Sequence, residues 1–372
     1  MSSERERTVE RAAALLSALI EPADAVAGAV IGALGLEETA SWALQAPYDT
    51  LDPRLRPAVT RWRHRARQLD VDELLARLRH VGGQLLHREH PAWPAALRDL
   101  GATEPPALWV RGDPQALTVA GLAVVGSRAA TRYGVQVAGE IAYAAAQDGW
   151  SVISGGAYGI DAAAHRAALA ADGLTVALLA GGVDRLYPAG NTELLLRVAA
   201  RGAVVSEVPP GAQPSRHRFL DRNRLIAALG RATVVVEAAE RSGALSTANH
   251  AGRLMRPVAA VPGPVTVASS AGCHSLIRDG AAVLVTGYAQ VRELASPAGQ
   301  GLAEPAPRTI GLLDDLPPDA SRVLDAMPAR AGTEVSHLAS VAGLTVSETQ
   351  AALGLLQLGG KVSCVQGRWK RV

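Results

Sequence analysis

Short apolar runs recur along the middle of the chain, and each is followed by a turn rich in glycine or serine. Runs at 122–125, 151–154, 175–179, 203–206, 233–236, 258–261 and 283–285 are four to five residues long or shorter. They lack the polar alternation of a half-exposed strand, so they predict strands buried on both faces. Between them, apolar residues return at helical spacing over 133–147, 160–171, 192–200, 219–229, 245–255 and 275–279. Strand and helix in strict alternation predict an α/β fold, a doubly wound, mostly parallel sheet with helices on both faces. On such a sheet ligands bind beyond the carboxyl ends of the strands.

The flanks follow other patterns. Residues 1–75 read as short helices, with Ala12, Leu15, Leu16, Leu19 and Ile20 on one face and Pro22, Pro47, Pro53 and Pro57 as breaks. A proline-punctuated lead-in with Trp93 and Trp109 opens the region 76–290. Residues 291–316 carry Pro297, Gly299, Gly301, Pro305 and Pro307 and read as a linker. The last part, 317–372, predicts helices at 320–326, 334–341 and 347–358. Thr333 is the N-cap candidate of the second, Thr345 or Val346 lies near the cap of the third, and a hairpin turns at Gln366-Gly367. Three short helices and a hairpin describe a winged helix.

Composition narrows the picture only a little. Of 372 residues 48% are apolar and 19% charged, so a large core is expected. A net charge of +2 means that any polyanion must be held by a local patch. Of the 37 basic residues only Lys361 and Lys370 are lysines, which looks like coding bias. Arginine placement therefore says more than arginine number. Two distant cysteines, Cys273 and Cys364, with no CxxC pair argue against disulfides and zinc and suit a reducing cytoplasm. No run of about 18 apolar residues predicts a membrane span, and the charged start of the chain lacks a signal-peptide core.

The candidate chemistry lies in the turns. After the first central strand come Gly126, Ser127 and Arg128. A glycine turn before a helix offers free amides and the positive end of the helix dipole to an anion. Arg128 adds a planar donor fork. The single glycine and the missing downstream acid argue against a dinucleotide fingerprint. A second glycine turn, Gly155 and Gly156, ends the neighbouring strand, which suits a run of phosphates. Further on, Arg216, Arg218, Arg222 and Arg224 surround Phe219, the only phenylalanine, with Asn223 between them. An aromatic ring among arginines can stack a base and hold phosphates, as single-stranded nucleic acid requires. The same spacing also describes a core ring with solvated arginines. Asp161 and His165, four apart on one helix, read as an acid–base pair or as structural hydrogen-bonders. Glu207 and Glu237 follow buried strands and read as catalytic carboxylates or as buried partners for arginines. The basic run at Arg61, Arg63, His64, Arg65 and Arg67 reads as a solvated helix face or a nucleic-acid contact.

Taken together these motifs resemble the DprA/Smf family of bacterial DNA-processing proteins. The resemblance rests on Gly126-Ser127-Arg128 with Thr131, Tyr133 and Gly134; on 154–161 with Ala164-His165; and on Tyr187-Pro188 with Asn191. It continues through Ser206-Glu207, Pro210-Gly211, Phe219, Arg222-Asn223-Arg224, Glu237, 242–248 and Val261-Pro262-Gly263, in colinear order over about 85–290. It implies an extended Rossmann-like core that binds single-stranded DNA, protects incoming strands and helps load the RecA recombinase during natural transformation. It also implies a homodimer, no catalytic turnover and no cofactor, with an N-terminal SAM-like helical domain and a C-terminal winged helix. The expected DNA contacts are Gly126, Ser127, Arg128, Gly155, Gly156, Arg216, Phe219, Arg222, Asn223 and Arg224. Arg216 stands where the family often has lysine, and Gly155-Gly156 where it often has Gly-Leu. A nucleoside-monophosphate phosphoribohydrolase of similar fold is the competing reading, although the Pro-Gly-Gly turn of that group is missing before Thr247. A transcriptional regulator is a third, but the helix at 347–358 has no Arg or Lys.

Overall fold

A computed structural model describes residues 2–296, 300–301, 316–328 and 331–372. The chain forms two compact units, one up to residue 303 and one from residue 304.

The larger unit begins with five helices, α1 (Ser2–Leu19), α2 (Ala25–Leu34), α3 (Leu36–Gln45), α4 (Arg56–Ala66) and α5 (Val71–His80). Asp24 and Asp70 cap α2 and α5 by accepting backbone N–H groups, which fixes where those helices start. Two antiparallel strands follow, β1 (Gly83–His87) and β2 (Ala107–Gly112). The alternating part then runs β3 (Gly121–Gly126), α6 (Arg132–Gln147), β4 (Ser151–Ser154), α7 (Ile160–Ala170), β5 (Thr175–Leu179), α8 (Thr192–Arg201) and β6 (Ala203–Ser206). It continues with α9 (Arg216–Leu229), β7 (Gly230–Val236), α10 (Gly243–Arg253), β8 (Val258–Ala260), α11 (Ala271–Arg278), β9 (Val283–Leu284) and α12 (Tyr288–Ala295).

All nine strands join one sheet in the order β1-β2-β6-β5-β4-β3-β7-β8-β9. From β6 to β9 the neighbours are parallel, and β2 meets β6 antiparallel. The doubly wound parallel sheet that the apolar runs predict is thus the fold, extended at one edge by an antiparallel pair. Side chains alternate between the faces. Val176, Leu178, Ala203 and Val205 pack with α9, α10 and α11, and with Trp93 and Leu97 of the lead-in. On the other face Leu122, Val124 and Val152 pack with α6, α7 and α12. Ala177, Leu179, Val204 and Trp109 instead share a cluster with α1–α5 and α8. Trp109 is fully buried and donates to Ser17 of α1 at 3.1 Å, so the first helices are built onto the sheet's antiparallel end.

Some boundaries differ from the sequence reading. Residues 291–295, read as the start of the linker, belong to helix α12 (Tyr288–Ala295), because Tyr288, Val291, Leu294 and Ala295 pack an apolar face onto the cluster around α6. The rest of the predicted linker lies almost wholly outside the described residues. The helix predicted from 219 starts three residues earlier, where Ser215 caps it by accepting the Arg218 N–H at 3.3 Å. The basic run on α4 is not simply a solvated face. Arg63 donates to Ala43 O at 2.8 Å and Arg65 to Leu19 O at 2.8 Å, so both satisfy carbonyls at the ends of other helices.

The second unit contains α13 (Pro318–Ala326), α14 (Val335–Ala342), α15 (Val346–Leu358) and the hairpin β10 (Val362–Val365) to β11 (Arg368–Arg371). Thr345 and Glu348 form a reciprocal capping box at α15. Thr333, a predicted N-cap, instead bridges Trp369 of the hairpin through its backbone, and α14 starts after Glu334 without a side-chain cap.

Candidate nucleic-acid interface

The sheet's topology makes the opening. From β3 the chain winds outward through β4, β5 and β6, then α9 carries it back so that β7 lies on the other side of β3. At such a switch point the loops after the two central strands diverge and leave a crevice. A cleft of about 670 Å³ lies there. Its wall includes Gly126 and Arg128 after β3, Ala157 after β4, Tyr187 after β5, Arg216, Phe219, Arg222 and Asn223 of α9, and Ser242, Gly243 and Thr247 at the start of α10.

Two exposed cations and two rings line the mouth. The Arg128 guanidinium lies 4.9 Å from the centre of the Phe219 ring. Tyr187 meets the same ring at 5.9 Å with the planes tilted by 54°. Phe219 is only partly buried, while Arg128, Arg216 and Tyr187 are exposed. Among the described residues neither Arg128 nor Arg216 has a carboxylate partner. The ring is therefore held at the surface by one other ring and the guanidinium groups of Arg128 and Arg222, and is not sunk in the apolar core, the alternative that spacing left open.

Beneath the mouth, Glu237 ties the two central loops together. Its backbone oxygen accepts the Ser127 N–H at 2.7 Å. Its carboxylate accepts the Thr131 N–H at 2.9 Å and the Thr131 hydroxyl at 2.5 Å. Thr131 in turn caps α6 through Gly134. A Cβ at Gly134 would come within 2.4 Å of this carboxylate, so a larger residue there would have to push it off Thr131. Both carboxylate oxygens are engaged, and Glu237 is a structural residue of the switch point.

The second glycine turn is filled from within. The amides of Gly155 and Ala157 both donate to Asp161 Oδ2, at 3.1 and 3.3 Å. A carboxylate thus occupies the nest that the sequence offered to phosphate. Burial pushes the Asp161 acid up from its ordinary value, and the nearby Arg222 charge opposes that. Arg222 is buried, donates to Gly155 O at 2.9 Å and also to Leu178 O, and is drawn down to about 10 by desolvation. It staples α9 to the ends of β4 and β5. Asn223 reaches the other way, from its amide to Gly243 O at 3.2 Å.

The site residues read from sequence therefore separate. Gly126, Arg128, Arg216, Phe219, Arg222 and Asn223 meet in one wall. Ser127, Gly155 and Gly156 are not among the residues that line it. Arg224 points away and forms a buried pair with Glu207 at 2.6 Å, with both side chains less than a tenth exposed. Asp161 and His165 do not act on each other. His165 Nδ1 pairs with Thr175 Oγ1 at 2.7 Å, and burial pulls the imidazole down to about 3. Sequence reasoning left Tyr187 and the 242–247 segment out of the site, although both belong to the motifs that carry the family resemblance and both lie in loops after the carboxyl ends of strands, β5 and β7.

The chain is similar to known DNA-processing proteins. Residues 84–295 match the family model of DNA recombination-mediator protein A. A DNA processing protein DprA from Mycobacterium tuberculosis is 43% identical over 97% of this chain and 94% of its own length. The crystal structure of DNA processing protein A from Streptococcus pneumoniae superposes with a TM-score of 0.63 at 30% identity, over 76% of this chain and 96% of that one. A Helicobacter pylori DNA processing protein A, described in terms of its single-stranded DNA binding mode, gives a TM-score of 0.52 at 28% identity over 56% and 93%.

Proposed function

This chain belongs to the DprA/Smf family of DNA-processing proteins, and on that premise we propose that it binds single-stranded DNA in the switch-point cleft. The observation that carries the reading is the half-open Phe219 ring beside two cations with no carboxylate partner, Arg128 and Arg216. A duplex keeps its base faces stacked, so exposed rings reward only unpaired bases. Stacking a base contributes about 1–3 kcal/mol, against about 0.5–1 kcal/mol for an exposed cation–π contact. An incoming base therefore displaces Arg128 from the ring and leaves it for a phosphate. No amide nest is required in the second loop, because Asp161 already fills it.

Strand protection, loading of a RecA-type recombinase and action as a homodimer in the cytoplasm extend this reading through family membership. A non-catalytic role accords with the carboxylates at the strand ends. Glu237 is committed to Thr131 and Glu207 to Arg224, so neither is poised as a base for the phosphoribohydrolase alternative. The test is fluorescence anisotropy of a labelled oligo-dT strand, competed by duplex of equal length. Preference for the single strand, lost in Arg128→Ala and Phe219→Ala, supports the reading. Binding that ignores both changes, or that equals duplex binding, sinks it.

A further inference from the structure

We propose that the single-strand site continues beyond Phe219 and Tyr187 onto Tyr158, with Arg185 taking a backbone phosphate beside them. This rests on the reading above and extends its footprint across the β4 and β5 loops.

The chain has one phenylalanine and six tyrosines, and three of these rings gather at this end of the sheet. Tyr158 follows β4 and is 48% exposed, the same as Tyr187. Its hydroxyl accepts the Gly190 N–H at 3.2 Å. A Cβ at Gly190 would lie 2.6 Å from that hydroxyl and 3.1 Å from the ring's Cε1. The ring thus rests on the backbone of residue 190, and half of its surface stays open. Gly190 is three residues after Tyr187, which bounds their separation at about 11 Å. Asn191 fastens the two loops together, donating to Gly156 O at 3.0 Å and Ala157 O at 3.1 Å. Tyr158 and Tyr187 are therefore held in a fixed relation.

The local charge suits a strand backbone. Arg185 is exposed and has no ion pair among the described residues. The acid next to it, Asp184, is turned inward and accepts the Gly211 N–H at 2.8 Å. Arg185 lies two residues before Tyr187, so the loop that carries one of these rings also carries an exposed cation. Successive stacked bases with phosphates on arginines are the chemistry of a sequence-tolerant single-strand track.

The experiment compares oligo-dT of about four and about twelve nucleotides, within the range of site sizes such surfaces cover. Tyr158→Ala is expected to weaken the longer strand about tenfold and the shorter one hardly at all. Tyr158→Phe keeps the ring and should bind the longer strand within about twofold of wild type. Arg185→Gln should lower the log–log salt slope for the longer strand by about 0.7. Phe219→Ala runs beside them as the marker of the central site. Loss in Phe219→Ala with no length-dependent loss in Tyr158→Ala and an unchanged slope in Arg185→Gln overturns the extension and leaves the central site standing. If Phe219→Ala is also silent, the cleft reading itself falls and the extension with it. Should Tyr158→Ala fail to fold, Arg185→Gln decides alone.

Discussion

Arg128 and Phe219 come from different turns of the chain, yet the guanidinium sits 4.9 Å from the ring centre at the point where the sheet reverses direction. The contact couples the loop after β3 to the first turn of α9.

Arg128→Ala should weaken single-strand binding with little dependence on sequence, because a phosphate contact reads no base. The log–log salt slope should become shallower by about 0.7. Anisotropy titrations at several salt concentrations check both, and a slope equal to wild type would remove Arg128 from the backbone contacts.

Phe219→Ala should cost about 1–3 kcal/mol of binding and little of folding stability. Thermal melting separates the two roles. A large drop in melting temperature, with binding of the surviving folded protein unchanged, would place the ring in the core instead.

Arg222 predicts the opposite balance. It is buried and bonded to Gly155 O and Leu178 O beside the Asp161 carboxylate. Arg222→Ala should cost about 1–3 kcal/mol of stability for each buried carbonyl left without a donor, here Gly155 O and Leu178 O. Urea unfolding would measure it, and an unchanged midpoint would show that Arg222 does not hold the strand ends.

His165 predicts a pH dependence. Its folded pKa is lowered from 6.5 to about 3 by burial, so the unfolded chain takes up this proton first as pH falls. The contribution is whole above pH 6.5 and is lost progressively down to about pH 3. Burial shifts Asp161 and Glu207 upward, with the opposite sign, so the informative quantity is the difference between wild type and His165→Asn. The variant should lose stability less steeply with acid over that window, and parallel curves would exclude the assignment.

Much of this was legible in the residues. Short apolar runs such as 122–125 and 176–179, bounded by glycine turns, predict strands covered on both sides. Their spacing by helices forces parallel pairing, and the family resemblance follows from colinear short motifs. Phe219 stands out as the only phenylalanine, and Arg128 and Arg216 by placement, one after a glycine turn and one three residues before that ring. What sequence could not assign was direction. Arg222, Asn223 and Arg224 are consecutive on α9, so helical geometry sends them to different surroundings. Only packing decides that Arg222 staples the strand ends, Asn223 reaches α10 and Arg224 pairs with Glu207. Likewise Gly155 and Ala157 offer amides on paper, but the helix after them swings Asp161 into the nest. Local pattern determines which elements form, because backbone and burial preferences act over a few residues. Which side chain meets solvent and which meets another side chain is settled by contacts between residues far apart in the chain, and only the tertiary structure supplies those.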